Sequence, residues 1–117
     1  MTPVFDRRGR VCGWMASDRV LDLRGQTIGW VQGTHFFSRH GRTFGHLADG
    51  FFRDRSGGAV AFVSGANNGP LLPITAIPPI PPIAAIPPIP PIPPIPPIPA
   101  VPSLGWSNLP WSQYTTI

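Results

Sequence analysis

The residues of this chain best equipped for chemistry are arginines, and that chemistry is the capture of negative charge. Arg7, Arg8, Arg24, Arg39 and Arg55 each stand one or two residues before a glycine, at Gly9, Gly25, Gly41 and Gly57. Arg10 and Arg42 follow two of those glycines. Guanidinium forks suit phosphate and carboxylate. If the fold gathers these turns at one end, they form a basic rim able to bind phosphate groups of lipid, nucleotide or nucleic acid. The plainer reading is a set of solvated turn residues. Nucleic acid ranks below anionic lipid, because the aromatic residues are not interleaved with the arginines as a stacking platform requires.

Catalytic groupings are missing from the sequence. Its five acidic residues are all Asp, its nine basic residues all Arg, and neither Glu nor Lys occurs. That bias reads as genomic, as in a GC-rich bacterium. Most of the Asp residues fall where a turn needs a capping oxygen. His35, His40 and His46 lack metal-ligand spacing, and no serine has a base at suggestive distance. No glycine-rich phosphate loop joins a strand to a helix. These observations point to a non-enzymatic protein without cofactor or metal.

What must position the arginines is an internal repeat. Gly9, Gly25, Gly41 and Gly57 stand sixteen residues apart, and the residues around them recur. Four positions on comes a small residue (Gly13, Gly29, Gly45, Ala61), then an aromatic ring (Trp14, Trp30, His46, Phe62), then an apolar residue (Met15, Val31, Leu47, Val63). Asp or Ser begins each longer turn and glycine closes it, as at Asp6-Arg7-Arg8-Gly9, which suits a type I turn with a glycine bulge. Shorter turns are expected at Ser17-Asp18, Gly33-Thr34 and Asp49-Gly50. Arg10, Cys12 and Trp14 should alternate with Val11, Gly13 and Met15 across the sheet. The fold class is therefore all-β: four pseudo-symmetric hairpins in an eight-stranded meander, small enough to close as a filled barrel. A small residue at one strand position in all four units implies close approach of another backbone or a sharp bend. The aromatic column reads as core first. Its second reading is a binding ring around a central opening.

The pattern apolar-aromatic-Asp-x-x-Gly-x-x-apolar-Gly-aromatic-apolar, over residues 3–65, resembles the four-fold β-flower family of bacterial proteins. The resemblance implies a shallow symmetric β-barrel, somewhat similar to the lipid-binding Tubby C-terminal domain but without its central helix. It implies no activity. His46, Ala61 and Arg53 depart from the pattern.

The second half has another character. All charges lie between Asp6 and Arg55, so the net +4 belongs to the first half alone. The organisation reads as a repeat domain over 1–66, a hinge over 67–73, an Ile-Pro-Pro rod over 74–104 and an aromatic peptide over 105–117. In the rod, Ile74, Ile77, Ile80, Ile83, Ile86, Ile89, Ile92, Ile95, Ile98, Val101 and Leu104 stand three apart. Polyproline II turns once in three residues, so they share one stripe, on a rod of about 90 Å at ~3.1 Å per residue. That ridge either docks on something or is expanded low complexity, and Ala84-Ala85 is its softest point. Trp106, Leu109, Trp111 and Tyr114 form an anchor whose rings fill a pocket, in the chain's own barrel or in a partner. Proline forbids a membrane-spanning helix here. No basic start followed by an apolar stretch indicates export, so the location is cytoplasmic by default and membrane-peripheral under the lipid reading. The sequence thus points to a binding or assembly module, whose partner is a protein or its own tail, with anionic lipid as the alternative and an oligomer compatible with both.

Overall fold

A computed structural model describes residues 1–116. Eight strands follow one another: β1 (Thr2–Asp6), β2 (Val11–Ala16), β3 (Arg19–Leu21), β4 (Thr27–Gln32), β5 (His35–Ser38), β6 (Thr43–Ala48), β7 (Phe51–Arg53) and β8 (Ala59–Phe62). Each pairs antiparallel with its neighbour, and β8 returns to β1 through Phe62↔Phe5 and Ala61↔Asp6, closing the barrel. Closure removes every free edge from a sheet made of strands only three to six residues long.

The four long turns are built alike. Asp6 Oδ1 accepts the amides of Arg8 (2.9 Å) and Arg10 (3.1 Å), while Gly9 donates its amide to the Asp6 carbonyl at 2.9 Å. Asp22, Ser38 and Asp54 repeat the first arrangement at their own turns. The closing glycines sit at φ +80°, +87°, +82° and +88°, where a Cβ is strained. The short turns fall at Ser17-Asp18, Gly33-Thr34 and Asp49-Gly50.

Simple alternation fails at one point in every unit. Val4 pairs with Gly13 but Phe5 with Val11, so Cys12 is the extra residue of a bulge, and the register breaks equivalently after Val20, Phe36 and Phe52. Cys12 therefore joins Met15 on the inner face rather than sharing the face of Trp14. The small column lies beside the bulge. A Cβ at Gly29 would fall on the carbonyl oxygen of Phe37, and one at Gly45 on that of Arg53, so backbone does approach closely here.

The core has two layers. Inside stand Val4, Val20, Phe36, Phe44, Phe52, Val60 and Ala61, packed on Trp111 and Tyr114 of the C-terminal peptide. The peptide carries a one-turn helix, α1 (Trp111–Tyr114), which occupies the barrel centre. Sequence reading placed no helix there. Trp111 stacks on Phe36 at 6.3 Å and meets Phe52 edge-on at 5.3 Å, and the Tyr114 hydroxyl donates to the Arg53 carbonyl at 2.8 Å. The second layer, on the opposite face, holds Phe5, Phe51, Ala59 and Phe62 with Trp106 against them.

The expected 90 Å rod is not straight. The whole molecule measures 36 × 35 × 21 Å, and residues 74–103 run as a collar past the four long turns in order. Ala76 donates its amide to the Gly9 carbonyl (2.8 Å), Ala85 to Gly25 (3.0 Å) and Ser103 to Gly57 (3.0 Å). Pro91 and Ile92 lie against Gly41. The carbonyls over the turns belong to Ile74, Ile83, Ile92 and Val101, nine residues apart, so nine residues of collar span each sixteen-residue hairpin. Pro73, Pro82, Pro91 and Ala100, also nine apart, are half-buried together with Ala84, Ala85 and Pro94, whereas the isoleucine ridge points outward. The expected hinge is tied down as well: Asn67 donates its amide to the Asp49 carbonyl at 2.9 Å, and Pro70 is buried.

Candidate functional site

Because the strands alternate in direction, all four long turns lie at one end of the barrel, and the arginines converge there. Arg7, Arg8, Arg10, Arg24, Arg39, Arg42 and Arg55 are exposed around that end, against Asp6, Asp22 and Asp54. Asp18 and Asp49 lie at the short-turn end, whereas Arg53 and the guanidinium of Arg19 reach Gly57 and Ala85 at the long-turn end, so the positive charge is concentrated there. Arg10 pairs with Asp6 at 3.3 Å, Arg55 donates to the Thr43 carbonyl at 3.1 Å, and Arg7 reaches the Ser107 carbonyl at 3.4 Å. The side chains of Arg8, Arg24, Arg39 and Arg42 make no hydrogen bond to any of the described residues.

α1 enters the barrel at this same end. A groove of about 740 Å³ lies between it and the first two hairpins, lined by Arg10, Val11, Cys12, Arg24, Ile28 and Trp111 among others. Burial, with the Asp6 charge second, pushes the Cys12 thiol well above its usual range, and the S–H donates to the Val4 carbonyl at 3.4 Å. A protonated thiol is a poor nucleophile. Burial, then Asp54, likewise raises the phenol of Tyr114.

The aromatic column does not line the centre. Cross-strand pairs share a face, and Trp14 pairs with Leu21, Trp30 with Phe37 and Phe62 with Phe5. Trp14, Trp30, His46 and Phe62 therefore belong to the outer layer, at most 7% exposed. The central opening holds Trp111 and Tyr114, while Trp106 covers Phe51 and Phe62 at 6.0 Å each. Leu109 is half-buried and contributes little to either cluster.

The histidines take separate places. His40 is exposed in its turn; His35 Nε2 lies 2.8 Å from Thr43 Oγ1. Burial and, after it, the nearby His46 hold His35 below the usual imidazole range. His46 Nε2 is buried with no hydrogen-bond partner. No group of three His, Cys, Asp or Glu able to hold a metal occurs among the described residues. None of their helices is long and apolar enough to cross a membrane.

Sequence reasoning missed the residues that fasten the tail. Arg53, 4% exposed at the site where other units carry Phe5, Leu21 and Phe37, donates to the carbonyls of Gly57 (2.7 Å), Ser103 (2.8 Å) and Asn68 (2.9 Å). Burial pulls its pKa down, opposed by Asp49 and Asp54. Arg19 donates to the Ala85 carbonyl at 3.3 Å. Ser107 bonds Asp54 through its hydroxyl, and its amide donates to the Ala59 carbonyl at 2.7 Å. A charged residue in an apolar column was the available signal for Arg53.

A closed barrel of four hairpins, its centre filled by its own C-terminal peptide and its basic end ringed by a collar, defines a small all-β barrel class. The family model described as 4-fold beta flower protein matches residues 2–115, and the chain belongs to that family. The match runs well beyond residues 3–65 and extends over the collar and α1. No curated protein and no solved structure matches the chain.

Proposed function

We propose that this protein is a non-enzymatic binding module that attaches to anionic lipid surfaces through its long-turn end. One observation carries the reading. The nine collar isoleucines, Ile74 to Ile98, are 92–96% exposed around the end where the positive charge is concentrated. Apolar side chains so exposed on a folded protein usually mark a docking surface. Burying an isoleucine is worth roughly 1.5–3 kcal/mol, so inserting three or four outweighs the orientational cost of adsorption. Each arginine near an anionic surface adds about 1 kcal/mol. The Tyr114 and Trp111 rings already fill the barrel centre, which favours the outer surface over an internal pocket.

The test is co-sedimentation with phosphatidylcholine vesicles, with and without phosphatidylglycerol. Binding is expected with the anionic lipid, at low salt more than at high salt. Serine at Ile77, Ile80, Ile86 and Ile89, or glutamine at Arg8, Arg24 and Arg39, should reduce it. Equal binding to neutral vesicles, or none, refutes the lipid reading.

A second reading keeps the collar as a protein-assembly surface. It is favoured by the absence of charge from residues 66–117 and by a backbone whose ordering entropy is already spent. A multimeric mass in solution, dissolved by the same serine substitutions, would support it.

A further inference from the structure

The four hairpins are equivalent in outline, and the third departs from the others twice in the same place. Where the first, second and fourth carry Trp14, Trp30 and Phe62, the third carries His46, a smaller ring with two nitrogens. Its collar segment also differs. The residues that pin the other segments are Ala76, Ala85 and Ser103, and the equivalent position nine residues after Ala85 is Pro94. Proline has no N–H to give the Gly41 carbonyl. The collar accordingly stands farther off here: a Cβ at Gly41 would be 3.8 Å from Pro91, whereas at Gly25 it would be 2.6 Å from the Ile83 carbonyl oxygen.

A cavity of about 250 Å³ lies between the third and fourth hairpins and the collar, lined by Thr43, His46, Arg55, Ile95, Pro97 and Ile98. It falls below the ~300 Å³ at which drug-sized ligand pockets begin, so its occupant is small. Its polar lining is rich in donors and has no carboxylate. His46 borders the cavity and is 7% exposed; its Nε2 has no partner and is shielded from solvent, so a ligand reaches it only when the ring turns. A buried polar atom left unpaired costs about 1–3 kcal/mol, which a ligand would recover. Arg55 spends one N–H on the Thr43 carbonyl at 3.1 Å. The Thr43 hydroxyl lies 2.8 Å from His35 Nε2. With His35 neutral and donating from Nε2, that hydroxyl is free to donate onward.

We propose that this cavity is a binding site for a phosphate group, held by the Arg55 guanidinium, His46 Nε2–H and the Thr43 hydroxyl beneath Ile95 and Ile98. The site is separate from the free arginines of the other turns and does not depend on the lipid reading. His46 is the residue of its lining that replaces the larger ring of the other hairpins. The phosphate group can come from a small solute or from a lipid headgroup.

The experiment is calorimetric titration of the full chain with inorganic phosphate, against sodium chloride at matched ionic strength, with the Thr43 amide and His46 ring resonances followed by NMR. A second arm adds phosphatidylcholine vesicles containing phosphatidic acid. Saturable heat and shifts at Thr43 and His46 with inorganic phosphate are expected. Arg55→Gln should weaken the affinity about tenfold or more. His46→Phe restores the aromatic of the fourth hairpin, so it should fold normally yet lose the response. Shifts seen only with phosphatidic acid assign the phosphate to a headgroup. Absence of a response in both arms, or binding unchanged in Arg55→Gln and His46→Phe, overturns the proposal.

Discussion

The amide of Ala85 donates to the carbonyl oxygen of Gly25 at 3.0 Å, joining the middle of the proline tract to a turn sixty residues earlier. This bond explains why the tract is interrupted there, since proline at 85 would have no hydrogen to give. The pair Ala84-Ala85 is a fastening rather than the softest point of a rod. The two alanines are not interchangeable. Residues nine and eighteen beyond Ala84 are Pro93 and Pro102, so proline already fits that place in two other segments.

Ala85→Pro should therefore destabilise the protein by about 1–3 kcal/mol, the cost of leaving a buried carbonyl unpaired. Ala84→Pro should be neutral or stabilising by a few tenths, through a less flexible unfolded chain. Thermal melts of the two variants beside the parent decide it. Equal effects would mean that the collar is not pinned through this amide.

The barrel was legible because its signals are local: a capping Asp or Ser and a closing glycine recur every sixteen residues. The collar was not, because its nine-residue period is three times that of polyproline II. The Ile-Pro-Pro rhythm hides the departures at Ala76, Ala85 and Ser103 that carry the register. The ridge of isoleucines drew attention to the wrong side of the chain, since the half-buried residues are Pro73, Pro82, Ala84, Ala85, Pro91, Pro94 and Ala100. At the site, the arginine turns were readable from spacing. The place of the aromatic column was not: the bulge at Cys12 resets the alternation, and only cross-strand pairing reveals that Trp14 faces outward.

The plug should carry much of the stability. Trp111 contacts Phe36, Phe52 and Tyr114, so Trp111→Ala is expected to cost about 3–5 kcal/mol. Tyr114→Phe removes one hydroxyl bonded to the Arg53 carbonyl and leaves the packing, at a cost of about 1–1.5 kcal/mol. Denaturant titration distinguishes them. A chain ending at residue 104 that melts like the parent would show that α1 is dispensable.

Arg53 holds the two ends of the collar region to the barrel, through Asn68 at its start and Ser103 at its finish. Arg53→Leu restores the apolar residue of the second hairpin but takes a donor from three carbonyls, of which Gly57 keeps the Ser103 amide and those of Asn68 and Ser103 lie on exposed residues. Hydrogen exchange at Ser103 and in the neighbouring collar should accelerate, with a stability loss of about 1–3 kcal/mol. Protection at Ser103 that survives the substitution would mean that the collar is held by packing alone. In that case the leucine would be well tolerated, as Leu21 is in its own hairpin.

Stability should fall as the pH drops below neutral, and His35 should be one cause. Burial and then His46 hold its folded pKa below the ordinary value of about 6.5, so the unfolded chain binds its proton first. The sign follows from linkage: the contribution is complete above pH ~6.5 and is lost as the pH falls from there through the lower folded pKa. The slope for one group is at most about 1.4 kcal/mol per pH unit. Besides Thr43, the residues against the ring are Phe37 at 5.3 Å and His46 at 6.3 Å between centroids. His35→Phe places in the third hairpin the residue that Phe51 supplies in the fourth, and it should flatten the melting temperature between pH 7 and pH 5. An equally steep fall in the variant would assign the acid sensitivity to other groups.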